Sequence, residues 1–149
     1  MKIDIDIDKR YEEIQVILRS NEMNDETIEI LEKLKTTKNK YILGKSDKKV
    51  YIVDVKDIYF FYSENQKVFV ETEDFRYEVD ERLYEIEENF KNTSFIRVSK
   101  FSIVNLKKVK NIDMSFSGNL TINFINGKKE SISRRYISKI KDYLKNGGF

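Results

Sequence analysis

Five short runs of β-branched and aromatic residues, crowded into residues 41–79 and separated by polar turn clusters, constrain this chain more than any other feature. The runs are residues 41–43, 50–53, 58–62, 68–72 and 75–79, and the clusters are Lys45-Ser46-Asp47-Lys48, Ser63-Glu64-Asn65-Gln66 and Glu73-Asp74. Such residues suit a pleated, half-buried surface and such clusters suit turns, so a β-meander is predicted. Proline is absent, so element boundaries must be read from Gly, Asn and Asp alone.

The meander is followed by Asp80, placed to cap a helix over residues 81–90 with Leu83, Ile86 and Phe90 inward and Glu81, Glu85, Glu87 and Glu88 outward. Residues 95–110 then interleave apolar anchors with five cations and no acid. A strand over residues 108–115, a Ser117-Gly118-Asn119 turn and a strand over residues 120–125 come next. Asn126-Gly127 predicts a type I′ hairpin, with positive φ at both central residues, pairing residues 120–125 with 128–132. Ser133 caps a last helix, residues 134–145, with Ile137, Ile140 and Leu144 on one face, and Gly147-Gly148 frays its end.

Ahead of the meander, Ile3, Ile5 and Ile7 alternate with Asp4, Asp6 and Asp8, which predicts a strand with isoleucines on one face. A calcium loop is excluded, because Lys9 stands where the glycine is needed and Gln15 where the bidentate glutamate is needed. A second strand over residues 13–19 and a helix from Asn24 to about Lys35 complete this piece, and residues 36–39 form a polar connector. The expected organisation is an acidic strand-strand-helix extension, residues 1–40, serving dimerisation or docking, before a domain at residues 41–149.

Composition narrows the chemistry. The chain has neither cysteine nor histidine, which removes disulfides, thiolate nucleophiles, the commonest acid–base group and the usual zinc ligands. No glycine-rich phosphate loop is present, so no enzyme activity, cofactor, metal or small-molecule ligand is expected. No apolar run approaches the roughly 20 residues that cross a bilayer, and no secretory signal opens the chain, so a cytoplasmic protein without membrane contact is expected.

Charge is divided unevenly. Residues 1–90 carry 15 cations against 23 acids, whereas residues 91–149 carry 13 against 3. A polyanionic partner for the basic half follows from counterion release; the alternatives are a solvated basic face, a protein-interaction module for an acidic partner, or RNA binding. Residues 91–133 lack the two helices of a helix-turn-helix, so recognition would come from loops on a β scaffold. The cations sit at turns and strand ends: Lys100 after Ser99, Lys107 and Lys108 after Asn105, and Arg134 and Arg135 in the first turn of the last helix. Arginine can grip guanine bidentately, lysine offers a point charge, and Ser or Asn supplies neutral phosphate contacts. Clustered cations at a helix N-terminus are unfavourable without an anion, and a phosphate is an economical one.

Arg97 fits two readings equally, a DNA contact or an ion pair with Glu85 or Glu88. Lys128 and Lys129 read as edge-strand charges. Phe60, Phe61, Phe69, Phe95, Phe101, Phe116 and Phe124 could stack on bases, but their alternating strand patterns favour a core.

In order and spacing, several of these pieces resemble the LytTR DNA-binding domain of bacterial transcription regulators. They are Ile58-Tyr59-Phe60-Phe61-Tyr62-Ser63, Val68-Phe69-Val70, Leu83-Tyr84-Glu85-Ile86-Glu87, Phe95-Ile96-Arg97-Val98-Ser99-Lys100, Ile103-Val104-Asn105, Asn126-Gly127 and Ser131-Ile132-Ser133-Arg134-Arg135-Tyr136. The resemblance implies a mostly β, multi-sheet fold with a few helices that inserts loops into successive major grooves of duplex DNA. It places the DNA-contacting positions on Gln66 and Lys67, Ser99 and Lys100, and Arg134 and Arg135. Asn105, Lys107 and Lys108 join them as candidate contacts. Residues 1–45 are too few for a phosphorylatable receiver, so the resemblance is to the small stand-alone regulators, expected to act as homodimers on DNA.

Overall fold

The computed structural model describes residues 1–35, 40–114 and 120–145. Expectations for residues 36–39, Phe116, the Ser117-Gly118-Asn119 turn and Gly147-Gly148 lie outside these. The elements run α1 (Asp25–Lys35), β1 (Tyr41–Ser46), β2 (Lys49–Asp54), β3 (Phe60–Glu64), β4 (Lys67–Glu71), β5 (Arg76–Val79), α2 (Leu83–Asn89), β6 (Phe95–Ser99), β7 (Ser102–Asn105), β8 (Val109–Met114), β9 (Leu120–Phe124), β10 (Lys129–Ile132) and α3 (Arg134–Lys145). Strands β1 to β7 form a seven-stranded sheet in the order β2-β1-β5-β4-β3-β7-β6, and β8 to β10 form a three-stranded sheet in the order β10-β9-β8. Every pairing is antiparallel.

Strands β3 and β7 of the large sheet are buried on both faces. Along β3, Phe61 enters a core with Val68, Val70, Leu83, Ile86, Phe90, Phe95 and Ile103, between the sheet and α2. Its neighbour Phe60 points the other way, into a core with Val98, Val104, Ile122, Phe124, Ile132 and Ile140, between the sheet, the small sheet and α3. Adjacent residues on a strand face opposite sides, which is why Phe60-Phe61 and Ile103-Val104 read as continuous apolar runs rather than alternations. Of the phenylalanines read as core, Phe60, Phe61, Phe95 and Phe124 are buried and Phe69 is half-buried, whereas Phe101, in the turn between β6 and β7, is 58% exposed against that reading.

Several local expectations are corrected. Helix α2 starts after Arg82 rather than Asp80: the Glu85 side chain accepts from the Arg82 N–H at 3.2 Å, while the Asp80 carboxylate accepts from the Lys45 ammonium at 2.7 and 2.9 Å. Left-handed backbone occurs at Asp47, Lys48, Asn65 and Gln66, so the two-residue type I′ geometry belongs to the β1–β2 and β3–β4 turns. At Asn126-Gly127 only Gly127 is left-handed, with φ 87°; its N–H donates to Phe124 O at 3.0 Å, giving a three-residue loop. On α3, Ile140 is buried but Leu144 is 51% exposed, and Tyr143 instead hydrogen-bonds the Thr93 carbonyl.

The largest correction concerns the N-terminus. No strand forms over residues 1–20, and Ile3, Ile5 and Ile7 are 73%, 80% and 91% exposed. A strand pair without further strands or a helix to cover it is marginal in water. Local bonds compete with it: Asp8 accepts from the Arg10 backbone and side chain at 2.9 and 3.0 Å, and Tyr11 donates to Asp6 at 2.8 Å. Helix α1 does form, with the Asn24 side chain accepting from the Thr27 N–H at 2.9 Å.

Asn105, expected as a DNA contact, is 3% exposed. Its Oδ1 accepts from Ser94 Oγ at 2.7 Å and from the Lys107 N–H at 3.1 Å, and its Nδ2 donates to the Ile58 carbonyl at 2.9 Å. It fastens the far end of β7 to the entry of β3 instead of facing solvent. Asn105→Ala should lower unfolding stability in urea titration by about 2 to 4 kcal/mol, since it leaves the Ile58 carbonyl and Ser94 hydroxyl buried without that partner.

Candidate nucleic-acid interface

Three segments meet at one end of the large sheet. The β3–β4 turn carries Asn65, Gln66 and Lys67, and the β6–β7 turn carries Ser99, Lys100 and Phe101. Because β3 and β7 are paired neighbours, with Tyr62 opposite Ser102, these turns lie side by side. A hydrogen bond from the Ser63 N–H to the Phe101 carbonyl at 2.8 Å ties one to the other. The third segment is the start of α3, fixed to the same place by the Ser133 N–H donating to the Val98 carbonyl at 2.8 Å. Gln66, Lys67, Lys100, Arg134 and Arg135 are all exposed there.

Each segment is held in shape locally. Gln66 has φ 64°, a left-handed conformation that costs a side chain roughly 1 kcal/mol or more relative to glycine. Lys67 pairs with Glu78 at 3.5 Å on the neighbouring strand. In the β6–β7 turn, Ser99 Oγ accepts from the Phe101 N–H at 3.1 Å and lies 3.1 Å from Ser102 Oγ, and the Lys100 ammonium stands 5.8 Å from the centre of the Phe101 ring.

Arg97 is the residue that sequence reasoning left undecided. Its side chain is only 14% exposed and pairs with Glu87 at 2.8 Å, not with Glu85 or Glu88. The same guanidinium donates to the carbonyls of Ser99 at 2.7 Å and Lys100 at 2.6 Å. It therefore clamps the turn that presents Lys100 and anchors it to α2, a planar fork bonded to several acceptors at once. Strand β6 also carries a register shift between Arg97 and Ser99. Bulges of this kind re-aim side chains.

Glu130, unmarked in the sequence, lies behind this end. A groove beside Phe101 is lined by Ser99, Glu130, Ser131 and Ser133. Burial raises the Glu130 carboxyl above its ordinary pKa of 4.5, while a hydrogen bond from Ser102 acts in the opposite direction. An acid at this cation-rich end has one physical signal in the sequence: it is one of only three acids after residue 90.

Two expected contacts are not brought to this end. Lys107 and Lys108 follow β7 at its opposite end, after Asn105, which pairs with Phe95 rather than with Ser99. Lys108 lies over the Tyr59 ring at 5.2 Å. Lys128 is paired with Glu71 and is not a plain edge charge, whereas Lys129 is exposed in the groove beside Ser99. Among the described residues no group of acids, histidines or cysteines could hold a metal ion, and no helix is long and apolar enough to cross a membrane.

Residues 48–145 match the family model of the LytTr DNA-binding domain. The chain belongs to this family. A solved LytTr DNA-binding domain from Bacillus cereus has the same fold, with a TM-score of 0.68 at 22% identity over 71% of this chain and 97% of that one. An HTH-type transcriptional regulator of Staphylococcus aureus (strain MSSA476), named as uncharacterized, is 28% identical over 97% of this chain and 98% of its own length. The sensory transduction protein LytT of Bacillus subtilis is 30% identical over 87% of this chain and 54% of its own length. In this LytTR chain the three helices are separated by strands, so the described residues contain no helix-turn-helix pair.

Gln66→Gly should raise unfolding stability by about 1 kcal/mol, by relieving the left-handed side chain, while removing that side chain from the interface; urea titration and DNA binding read the two effects separately. Glu130 gives a pH prediction. Its raised folded-state pKa means its stabilising contribution is complete below the unfolded value and is lost as pH rises through the folded value. Stability measured upward from about pH 4.5 should therefore fall in the wild type relative to Glu130→Gln, which lacks this slope.

Proposed function

We propose that this chain is a bacterial transcription regulator that reads duplex DNA with the β3–β4 turn, the β6–β7 turn and the start of α3. The observation that carries this reading is the hydrogen-bonded chain from Ser63 to Phe101 and from Val98 to Ser133, which gathers the three segments at one end. Arg134 and Arg135 supply forks able to grip guanine or phosphate, and Lys67 and Lys100 supply point charges. Gln66 and Ser99 add neutral hydrogen-bonding groups. Asn105, Lys107 and Lys108 are left out of the reading set, Asn105 because it is buried and the lysines because they stand at the other end.

The regulator acts as a homodimer on DNA, each copy reading one half-site. A cytoplasmic place and the absence of catalysis suit this role, and the lack of histidine and cysteine supports the second point. Selection from a random duplex pool tests the reading: a recovered motif repeated at about one helical turn supports it, and a pool that stays random overturns it.

Arg135→Ala should weaken binding to the selected sequence by roughly 1 to 3 kcal/mol while leaving the fold intact, and relax preference at one position. Lys107→Ala, at the other end, should change affinity less than Arg135→Ala and by the same factor on selected and random duplexes. Titrations of both variants on selected and random duplexes check these outcomes; equal losses on both duplexes would remove Arg135 from base reading.

A further inference from the structure

The end of the large sheet farthest from β6 is unfinished. Among the described residues strand β2 pairs only with β1, which leaves its outer row of backbone N–H and C=O groups open. Open edges template the addition of another strand. The register sets Leu43 opposite Ile52 and Lys45 opposite Val50, which places Tyr41, Leu43, Val50 and Ile52 on one face. These four are 60%, 57%, 60% and 73% exposed. The other face of the hairpin is used, with Val53 in the core and Tyr51 against Tyr77 at 5.0 Å.

The same chain carries a segment with the matching pattern. Ile3, Ile5 and Ile7 alternate with Asp4, Asp6 and Asp8, and the isoleucines are all exposed. Residues 40–56 hold five lysines against two aspartates, so the acidic segment and the hairpin attract. Laid along β2, the isoleucines would extend the row of Val50 and Ile52, and the aspartates would fall on the face of Lys49.

We propose that residues 3–7 of one copy add as a strand to the edge of β2 in a second copy, and that the exchange is reciprocal. A two-fold arrangement gives and receives one segment per copy, closing both open edges. The segment's own β2 stays uncovered in the single chain although the two are tethered, which favours the second copy as occupant. This inference rests on the homodimer proposed above and names its surface.

The test uses the full chain, compared with Ile5→Asp and Ile52→Asp, by sedimentation across concentration and by hydrogen exchange of the β2 amides. The expected result is a wild-type dimer whose β2 amides exchange at least tenfold more slowly than in either variant, with both variants shifted to monomer. Ile5→Asp changes an exposed residue outside the folded sheets, so its readings stand even where Ile52→Asp fails to fold. A wild type that is monomeric at every concentration overturns the dimer and this surface together. A dimer that survives both substitutions overturns the surface alone. Protection of β2 that does not change on dilution means that the chain's own segment is the occupant, and overturns the exchange.

Discussion

The pairing of β3 with β7 is the constraint on which the rest of this molecule depends. Both strands are covered on both faces, so consecutive side chains feed two separate cores, and the registers of the two cores are locked to each other. One core seats α2 and the other seats the small sheet and α3. A one-residue slip would send Phe61 and Ile103 into the space shaped for Phe60 and Val104, so slippage is penalised on both sides at once. The turns that close β3 and open β7 are consequently placed with little freedom, and they are the turns that carry Gln66, Lys67, Ser99 and Lys100.

Polar groups complete what the cores begin. Asn105 fastens one end of β7, and Arg97 fastens the turn at the other, each by several hydrogen bonds rather than by one. The two fastenings differ in purpose. Asn105 satisfies buried groups that would otherwise be costly, whereas Arg97 connects the exposed turn to α2 through Glu87. A rigid scaffold with a braced turn suits recognition, because less ordering entropy is lost on binding.

Much of this was legible in the sequence, and the misses have physical reasons. The strands of residues 41–79 announced themselves because β-branched and aromatic runs alternate with turn residues, and the family motifs gave the order of the pieces. The start of α2 is not legible at Asp80, whose partner Lys45 lies 35 positions away, beyond any local capping pattern. Ile3, Ile5 and Ile7 have the period of a strand, but period alone supplies neither a hydrogen-bonding partner nor cover. Lys107 and Lys108 looked like neighbours of Lys100 because they are close in sequence, yet a strand carries them to the other end. The role of Arg97 was hidden because backbone carbonyls, its principal acceptors, leave no trace in residue identity.

That separation of cations along β7 bears on how the basic half behaves as salt changes. Between the two groups of lysines lies β7, about 13 Å of strand at about 3.3 Å for each of its four residues, while the screening length is about 8 Å at physiological ionic strength and about 30 Å at 0.01 M. In dilute buffer the two ends act on a polyanion as one diffuse positive field, drawing in any duplex. At physiological salt the two ends are screened from each other and act separately. Ionic strength thus sets whether the basic half presents one positive field or two.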